Sequence, residues 1–247
     1  MKKPVAPSAK PNYGVDAPPF IVGFLAGGSL SVALGAVCAR SSGWLPRTAS
    51  ALLFLGGGGA LTLGFAMTAY AVAGKYRIRD LIIDRLNLAG GEQVLDVGMG
   101  RGLLAIGAAK RLTTGRAVGI DIWNEADLSG NNIENARQNI RLEGVEDRVE
   151  LRNADARDMP FPDGSFDAVV SLLCLHNIEP ESDRETACRE IARVLKPGGI
   201  ALLADYVPTE GYATILARCG LTIVQTRAHF ADAYALMWIT EARKPEL

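Results

Sequence analysis

Residues 94–102 read Val94-Leu95-Asp96-Val97-Gly98-Met99-Gly100-Arg101-Gly102. A short apolar run of strand type enters a glycine-rich turn, and the turn opens a helical stretch that reaches Leu112. Glycine is needed where backbone approaches a ligand closely or takes positive φ. In open α/β sheets, ligands bind beyond the carboxyl ends of the strands. The next strand, read over Ala117 to Ile122, carries Asp121, 19 residues after Gly102. A carboxylate at that place can accept from both hydroxyls of a ribose. A GxG turn alone is common. Strand, glycine turn, helix and spaced acid together point to a nucleoside-binding site. Asp96 and Asp121 keep a second reading, as caps of the helices that follow.

The same alternation continues on both sides. Asp80 to Leu88 reads as a helix stopped by Gly90 and Gly91, and Gln93 to Val97 as the buried strand. Downstream come a helix over Asn131 to Leu142 and strands over Arg148 to Asn153 and Phe166 to Leu172. A helix over Asp183 to Leu195, a strand over Ile200 to Tyr206 and a helix over Thr209 to Cys219 follow. Leu221 to Arg227 and Ala235 to Ala242 close the chain as two strands with no helix between them. The prediction is an α/β domain over residues 75–247, with a doubly wound, mainly parallel sheet of seven strands and an antiparallel end.

The first third is of another kind. Residues 17–39 and 48–74 carry no charge. At ~1.5 Å per residue each stretch can cross a hydrocarbon layer of ~30 Å. The predicted spans are Phe20 to Ala39 and Ala51 to Ala73, joined by a short turn over residues 40–47, with Trp44 as an interface anchor. Residues 17–74 thus read as a transmembrane helical hairpin. Residues 1–16 read as a Pro-rich head, extended and mobile up to about Tyr13. A cleaved signal peptide fits less well, because the apolar run is long and stands far from Lys2 and Lys3. A buried helical pair is disfavoured by two uncharged runs of this length. Gly23 and Gly27 form a GxxxG pair, and Gly56 to Gly59, Ala60 and Gly64 give a second small face. Such faces serve either the hairpin itself or a homo-oligomer. Lys2, Lys3 and Lys10 before the hairpin, and Lys75, Arg77 and Arg79 after it, put both termini in the cytoplasm.

Charge and cysteine usage exclude other classes. Residues 75–247 hold 21 basic and 26 acidic residues, which argues against a nucleic-acid partner. Cys38, Cys174, Cys188 and Cys219 are scattered, with no CxxC pair, no disulfide framework and no pattern of metal ligands.

Two cofactor classes share a strand–glycine turn–helix layout. A dinucleotide site wants GxGxxG, but Leu103 occupies the third glycine position. The GxGxG spacing with Asp96 ahead of it resembles the class I S-adenosylmethionine-dependent methyltransferases. Asn153-Ala154-Asp155, Phe166-Asp167-Ala168-Val169-Val170-Ser171 and Arg193-Val194-Leu195-Lys196-Pro197-Gly198-Gly199 resemble further stretches of that family. They fall nearest the branch that includes ubiquinone and menaquinone C-methyltransferases. The hairpin, Asp121-Ile122-Trp123 and Ser129-Gly130-Asn131 are not part of the general pattern, and together resemble a membrane-anchored bacterial subgroup.

The resemblance implies a Rossmann-like seven-stranded methyltransferase sheet and S-adenosylmethionine as cofactor. It implies that Gly98, Gly100 and Gly102 line the methionine moiety and ribose, and that Asp96 orients the amino group. Asp121 would bind the ribose hydroxyls and Ile122 would pack on the adenine. Asp155 would accept from the adenine amino group, with Ala154 offering its backbone N–H. Ser171 to Leu173 would pass near the reactive methyl.

The sulfonium is already activated, so the protein must mainly align the reactants and exclude water. A base is needed only where the acceptor must lose a proton. Candidates at the ends of the fourth and fifth strands are Cys174, His176, Asn177, Asp205 and Tyr206, with His176 suited by its ordinary pKa. His176 has an alternative reading as a loop residue that shapes the pocket, and Cys174 as a packed thiol. The expected activity is methyl transfer to a small or lipid-like acceptor at a bilayer. A non-catalytic cofactor-binding or assembly module and a nicotinamide-dependent oxidoreductase are the competing readings.

Overall fold

The computed structural model describes residues 10–125 and 127–246. Residues 1–9, the start of the Pro-rich head, lie outside the described residues. Two long helices come first, α1 (Pro18–Ala39) and α2 (Trp44–Ala69). Both are long and apolar enough to cross a membrane, and only 11% of the most apolar part of each is buried. That exposure is the opposite of a soluble core helix. α2 begins earlier than the predicted Ala51, because Pro46 falls in its first turn, where a missing N–H leaves nothing unsatisfied. The interhelical turn therefore shrinks to residues 40–43.

α2 does not end with the apolar run. It passes through one π-helical turn, Tyr70–Gly74, into α3 (Lys75–Leu86). The helix predicted to start at Asp80 thus starts at Lys75, since no Gly or Pro interrupts residues 75–79. The rod from Trp44 to Leu86 is 43 residues long. It stops at Asn87, which takes a left-handed conformation (φ 50°), before Gly90 is reached. Ile78 and Ile82 on α3 are fully buried in the domain below.

The hairpin closes on glycines other than the GxxxG pair. A Cβ on Gly28 would stand 2.9 Å from the Gly57 carbonyl, and one on Gly57 2.9 Å from the Gly28 carbonyl. Only glycine permits that approach. Ser50 Oγ donates to the Gly35 carbonyl (2.9 Å) and Ser31 Oγ to the Leu53 carbonyl (3.0 Å). Among the described residues, nothing from a neighbouring element lies within 4 Å of a notional Cβ on Gly23, Gly27, Gly56 or Gly59, so these face away from this contact.

The remaining elements are β1 (Gln93–Val97), α4 (Leu103–Ala109), β2 (Arg116–Asp121), α5 (Ile133–Leu142), β3 (Val149–Asn153), β4 (Phe166–Leu172), α6 (Glu181–Val194), β5 (Leu195–Asp205), α7 (Glu210–Arg218), β6 (Thr222–His229) and β7 (Met237–Arg243). They form one seven-stranded sheet in the order β3-β2-β1-β4-β5-β7-β6. β1 to β5 are parallel; β7 pairs antiparallel with both β5 and β6. Near-continuous apolar strands such as β4 are what a sheet covered on both faces requires. One face packs against α3, α4 and α5 through Ile78, Ile106 and Ile140. The other packs against α6 and α7 through Ile191 and Leu216.

The described part of the head corrects the expectation of mobility. Asn12 N–H donates to Asn139 Oδ1 and Asn139 Nδ2 donates to the Asn12 carbonyl, both at 2.9 Å. Tyr13 is buried, and its hydroxyl donates to Glu143 (2.8 Å). Val15 N–H donates to Ser129 Oγ (2.8 Å), and Ser129 N–H to the Val15 carbonyl (3.3 Å). Residues 12–16 are a strap across the carboxyl end of the sheet.

Candidate active site

A cavity opens at the carboxyl ends of β1, β2 and β4, beneath the strap. Its volume is about 180 Å³, room for many waters at ~10–15 Å³ each and so for an organic ligand.

The glycine turn forms its floor. Gly98 and Met99 N–H groups donate to the Ile120 carbonyl (2.9 and 3.1 Å), tying the turn to β2. Gly98 has φ 71°, and a Cβ there would stand 2.1 Å from Cys174 Sγ. Gly100 N–H donates to Asp121 Oδ2 at 2.7 Å. Asp96 and Asp121 therefore face one space from neighbouring strands. Asp96 Oδ2 accepts from Ala105 N–H in the first turn of α4 (2.8 Å) while the side chain lines the cavity, so its position serves both readings, cap and site. Burial pushes its pKa up to about 7, against the Ala105 hydrogen bond and with the Asp121 charge. Asp121 is also raised by burial, with the N–H groups of Gly100 and Trp123 pulling the other way. Each Asp121 oxygen accepts one backbone N–H and keeps a lone pair for a hydroxyl.

The structure gathers Asp96, Gly98, Gly100, Asp121, Ile122, Ala154, Asp155 and Asn177 around this cavity. Gly102, Ser171, His176 and Tyr206 stand outside its lining. Gly102, at φ 90°, turns the chain into α4. Ser171 is buried, and its hydroxyl donates to the Val97 carbonyl (2.8 Å), fastening β4 to β1. The Ala154 N–H is not free for adenine: it donates to the Asp121 carbonyl (3.3 Å), continuing the β2–β3 ladder. The Asp155 carboxylate is held by Arg157 at 2.6 and 3.0 Å, which keeps it below the usual carboxylate range. Arg157 also bonds Asp183.

Beyond the glycine turn, Leu172, Leu173 and Cys174 make an apolar wall. Leu173 takes φ 55°, a left-handed conformation costly for a branched side chain. Burial pushes the Cys174 thiol far above its ordinary range, which fits a packed thiol and not a nucleophile. His176 sits behind Asn177. Its Nδ1 stands 2.7 Å from Asp205 Oδ1, a close ion-pair distance without an aligned N–H bond. Its backbone N–H donates to Asp205 Oδ2 (3.2 Å), which Tyr212 OH also reaches (3.1 Å). The imidazole meets the Tyr206 ring edge-on, with centroids 4.5 Å apart.

Three contributors escaped the sequence reading. Asn131 is buried at the cavity wall; its Nδ2 donates to the Asn124 carbonyl (3.1 Å), and its Oδ1 has no partner among the described residues. Its position in Ser129-Gly130-Asn131 was the available signal. The other two are Tyr13 and Lys75. The Lys75 side chain is 3% exposed and donates to the Gly14 carbonyl (2.7 Å) and Asp16 (3.1 Å).

A family profile described as a methyltransferase domain matches residues 95–203, which runs from β1 to β5. The chain carries a class I S-adenosylmethionine-dependent methyltransferase domain. Methyltransferase GfsG of Streptomyces halstedii is 36% identical over 172 residues, which cover 68% of this chain and 58% of that protein. The 27-O-demethylrifamycin SV methyltransferase of Amycolatopsis mediterranei is 36% identical over 131 residues, covering 53% and 44%. The ubiquinone/menaquinone biosynthesis C-methyltransferase UbiE of Pseudomonas fluorescens is 36% identical over 117 residues, covering 47% and 42%. The chain thus spans about half the length of the curated relatives it matches. Among solved structures, the [4+2]-cyclase SpnF is 26% identical, with a TM-score of 0.57 over 70% of this chain and 81% of that one. An S-adenosylmethionine-dependent methyltransferase from Aquifex aeolicus shares the fold, with a TM-score of 0.55 at 19% identity over 68% of this chain and 90% of that one. The cofactor of this methyltransferase domain is S-adenosylmethionine. The paired lone pairs of Asp121 and the free Asn131 oxygen suit its ribose diol.

Proposed function

We propose that this chain is a membrane-anchored methyltransferase, both termini cytoplasmic, that transfers a methyl group to a small or lipid-like acceptor. The reading rests on one observation above the rest. The cavity that carries the glycine turn and Asp121 is also lined by Tyr70 and Lys75, from the helix that continues the second apolar span.

When bound, S-adenosylmethionine supplies a methyl group already activated on a sulfonium. Asp121 would accept from the ribose hydroxyls, and Asp96 would orient the amino group. Ile122, 62% exposed, would cover the adenine. Leu172 and Leu173 keep water from the reacting end. His176, which stands behind Asn177 and against Asp205, would serve as base for an acceptor that must lose a proton and otherwise shapes the pocket, with Tyr206 beside it.

The [4+2]-cyclase of related fold favours one second reading, a site that holds the cofactor without transferring its methyl group. Incubating the purified full chain with methyl-labelled S-adenosylmethionine and a bacterial membrane extract separates the two. Label in an extractable lipid or small molecule supports the proposal. Tight cofactor binding with no labelled product supports the second reading.

A further inference from the structure

The transmembrane rod leaves the domain at a defined place. α3 starts at Lys75 beside the cavity and ends at Leu86, before the chain enters β1 from its amino end. It therefore runs antiparallel to the parallel strands, and its upstream continuation projects beyond their carboxyl ends. The first span arrives at the same level, since Asp16, just ahead of α1, pairs with Lys75 at 3.1 Å. Any bilayer crossed by α1 and α2 lies off the carboxyl end of the sheet.

The connection between β6 and β7, residues 230–236, lies at that end. β5 finishes at Asp205 opposite Trp238, and His229 pairs with Met237. The connection also touches the rod at the last uncharged residue. A Cβ on Gly74 would stand 1.9 Å from the Ala233 carbonyl oxygen, so the two backbones are in direct contact. One turn below, Arg77 Nη1 donates to Tyr234 OH (3.0 Å), and its guanidinium lies 5.0 Å from the Tyr234 ring centroid. Around this fixed point Phe230 is 65% exposed, Leu236 49% and Tyr234 40%. Three large apolar side chains stand out to solvent within one seven-residue loop, at the level where the charge-free run ends. A soluble domain normally buries such a group, whereas an aromatic and basic set at this depth is what the headgroup boundary accommodates.

We propose that residues 230–236 form a foot that inserts Phe230 and Leu236 into the bilayer interface, with Tyr234 and Arg77 at headgroup level. The foot seats the carboxyl end of the sheet on the membrane, and the cavity mouth opens toward lipid. The inference rests on the membrane reading under Proposed function. It adds a second, independent membrane contact made by the catalytic domain itself.

The test places a photoreactive benzoyl-phenylalanine at position 230, at 236, and at exposed position 114 on the opposite end of the sheet. Each full-length chain is reconstituted into phosphatidylethanolamine/phosphatidylglycerol vesicles, and S-adenosylmethionine binding verifies the fold. An interfacial depth of ~5–10 Å predicts roughly tenfold more phospholipid adduct at 230 and 236 than at 114. Equal yields at the three positions, in a chain that resists alkaline carbonate extraction, would overturn the foot and leave the anchor standing. Release of the chain by carbonate would remove the anchor and the foot together.

Discussion

The two walls of the cavity are built on different principles. The floor is local: within Asp96–Asp121, the glycine turn, its helix and the acid on the next strand fix one another through backbone hydrogen bonds. The roof is remote: Tyr13 and Asp16 reach it from the strap and Tyr70 and Lys75 from the rod, with Lys75 paired to Asp16, 59 positions away, and Tyr13 to Glu143, 130 positions away. The floor presents carboxylates and N–H groups, which is binding chemistry. The roof presents a strap and the end of a long apolar helix, which is placement. Damage to the floor should abolish cofactor binding, and damage to the roof should loosen it.

The largest expected effect is at Gly98. Gly98→Ala meets Cys174 Sγ in a left-handed conformation, which combines ~1–2 kcal/mol of backbone strain with ~1–3 kcal/mol of overpacking. S-adenosylmethionine binding by calorimetry should disappear, and the melting temperature should fall. Gly98→Ala with Cys174→Ala should regain part of the stability; no recovery would remove the Cys174 contact from the account.

Asp96 comes next, through pH. Its carboxyl is raised on folding from 3.8 to about 7, so the folded state holds a proton that the unfolded state has released between those values. The unfolded state binds fewer protons in that window, so ligand-free stability declines as pH rises from about 4 to 7, by at most ~1.4 kcal/mol per pH unit. Asp121, raised in the same direction, adds to the slope. Denaturant titrations of Asp96→Asn should show a flatter profile; an unchanged slope would mean that Asp96 is ionised throughout.

Asp121→Ala should weaken S-adenosylmethionine binding by ~1–3 kcal/mol, the worth of charge-assisted bonds to hydroxyls. Unchanged affinity would take Asp121 out of the ribose site.

Lys75→Met sharpens the contrast from the other side. It removes three donors to the strap and leaves Asp16 with a partly solvated carboxylate, 30% exposed. Amide exchange at residues 12–16 should rise strongly while β1 and α4 stay protected, and cofactor affinity should drop by only ~1 kcal/mol. Loss of protection throughout the domain would make the strap part of the core.

This division matches what was legible. The glycine turn, Asp121, the strand order's antiparallel end and the two long apolar helices all reflect local rules: positive φ, two-residue and 3.6-residue periods, and runs without charge. The head was read as mobile up to about Tyr13 because it is rich in proline, and nothing nearby announces Asn139 or Glu143 as partners. The rod was read as two helices, one ending at Ala73 and one starting at Asp80, because the polarity changes at Lys75, although polarity does not stop a helix. Ser171 was placed at the ligand by resemblance, but its hydroxyl turned to Val97. The Ala154 N–H was spent on the sheet ladder, which only register reveals.

The central claim is that the space between Gly98–Gly102 and Asp121 holds a sulfonium nucleoside. Calorimetric titration of the purified full chain with S-adenosylmethionine and, separately, with NADH tests it most directly. The account predicts saturable binding of the first, lost in Gly98→Ala, and none of the second. Binding of NADH in preference, or no binding of S-adenosylmethionine by a folded chain, would contradict it.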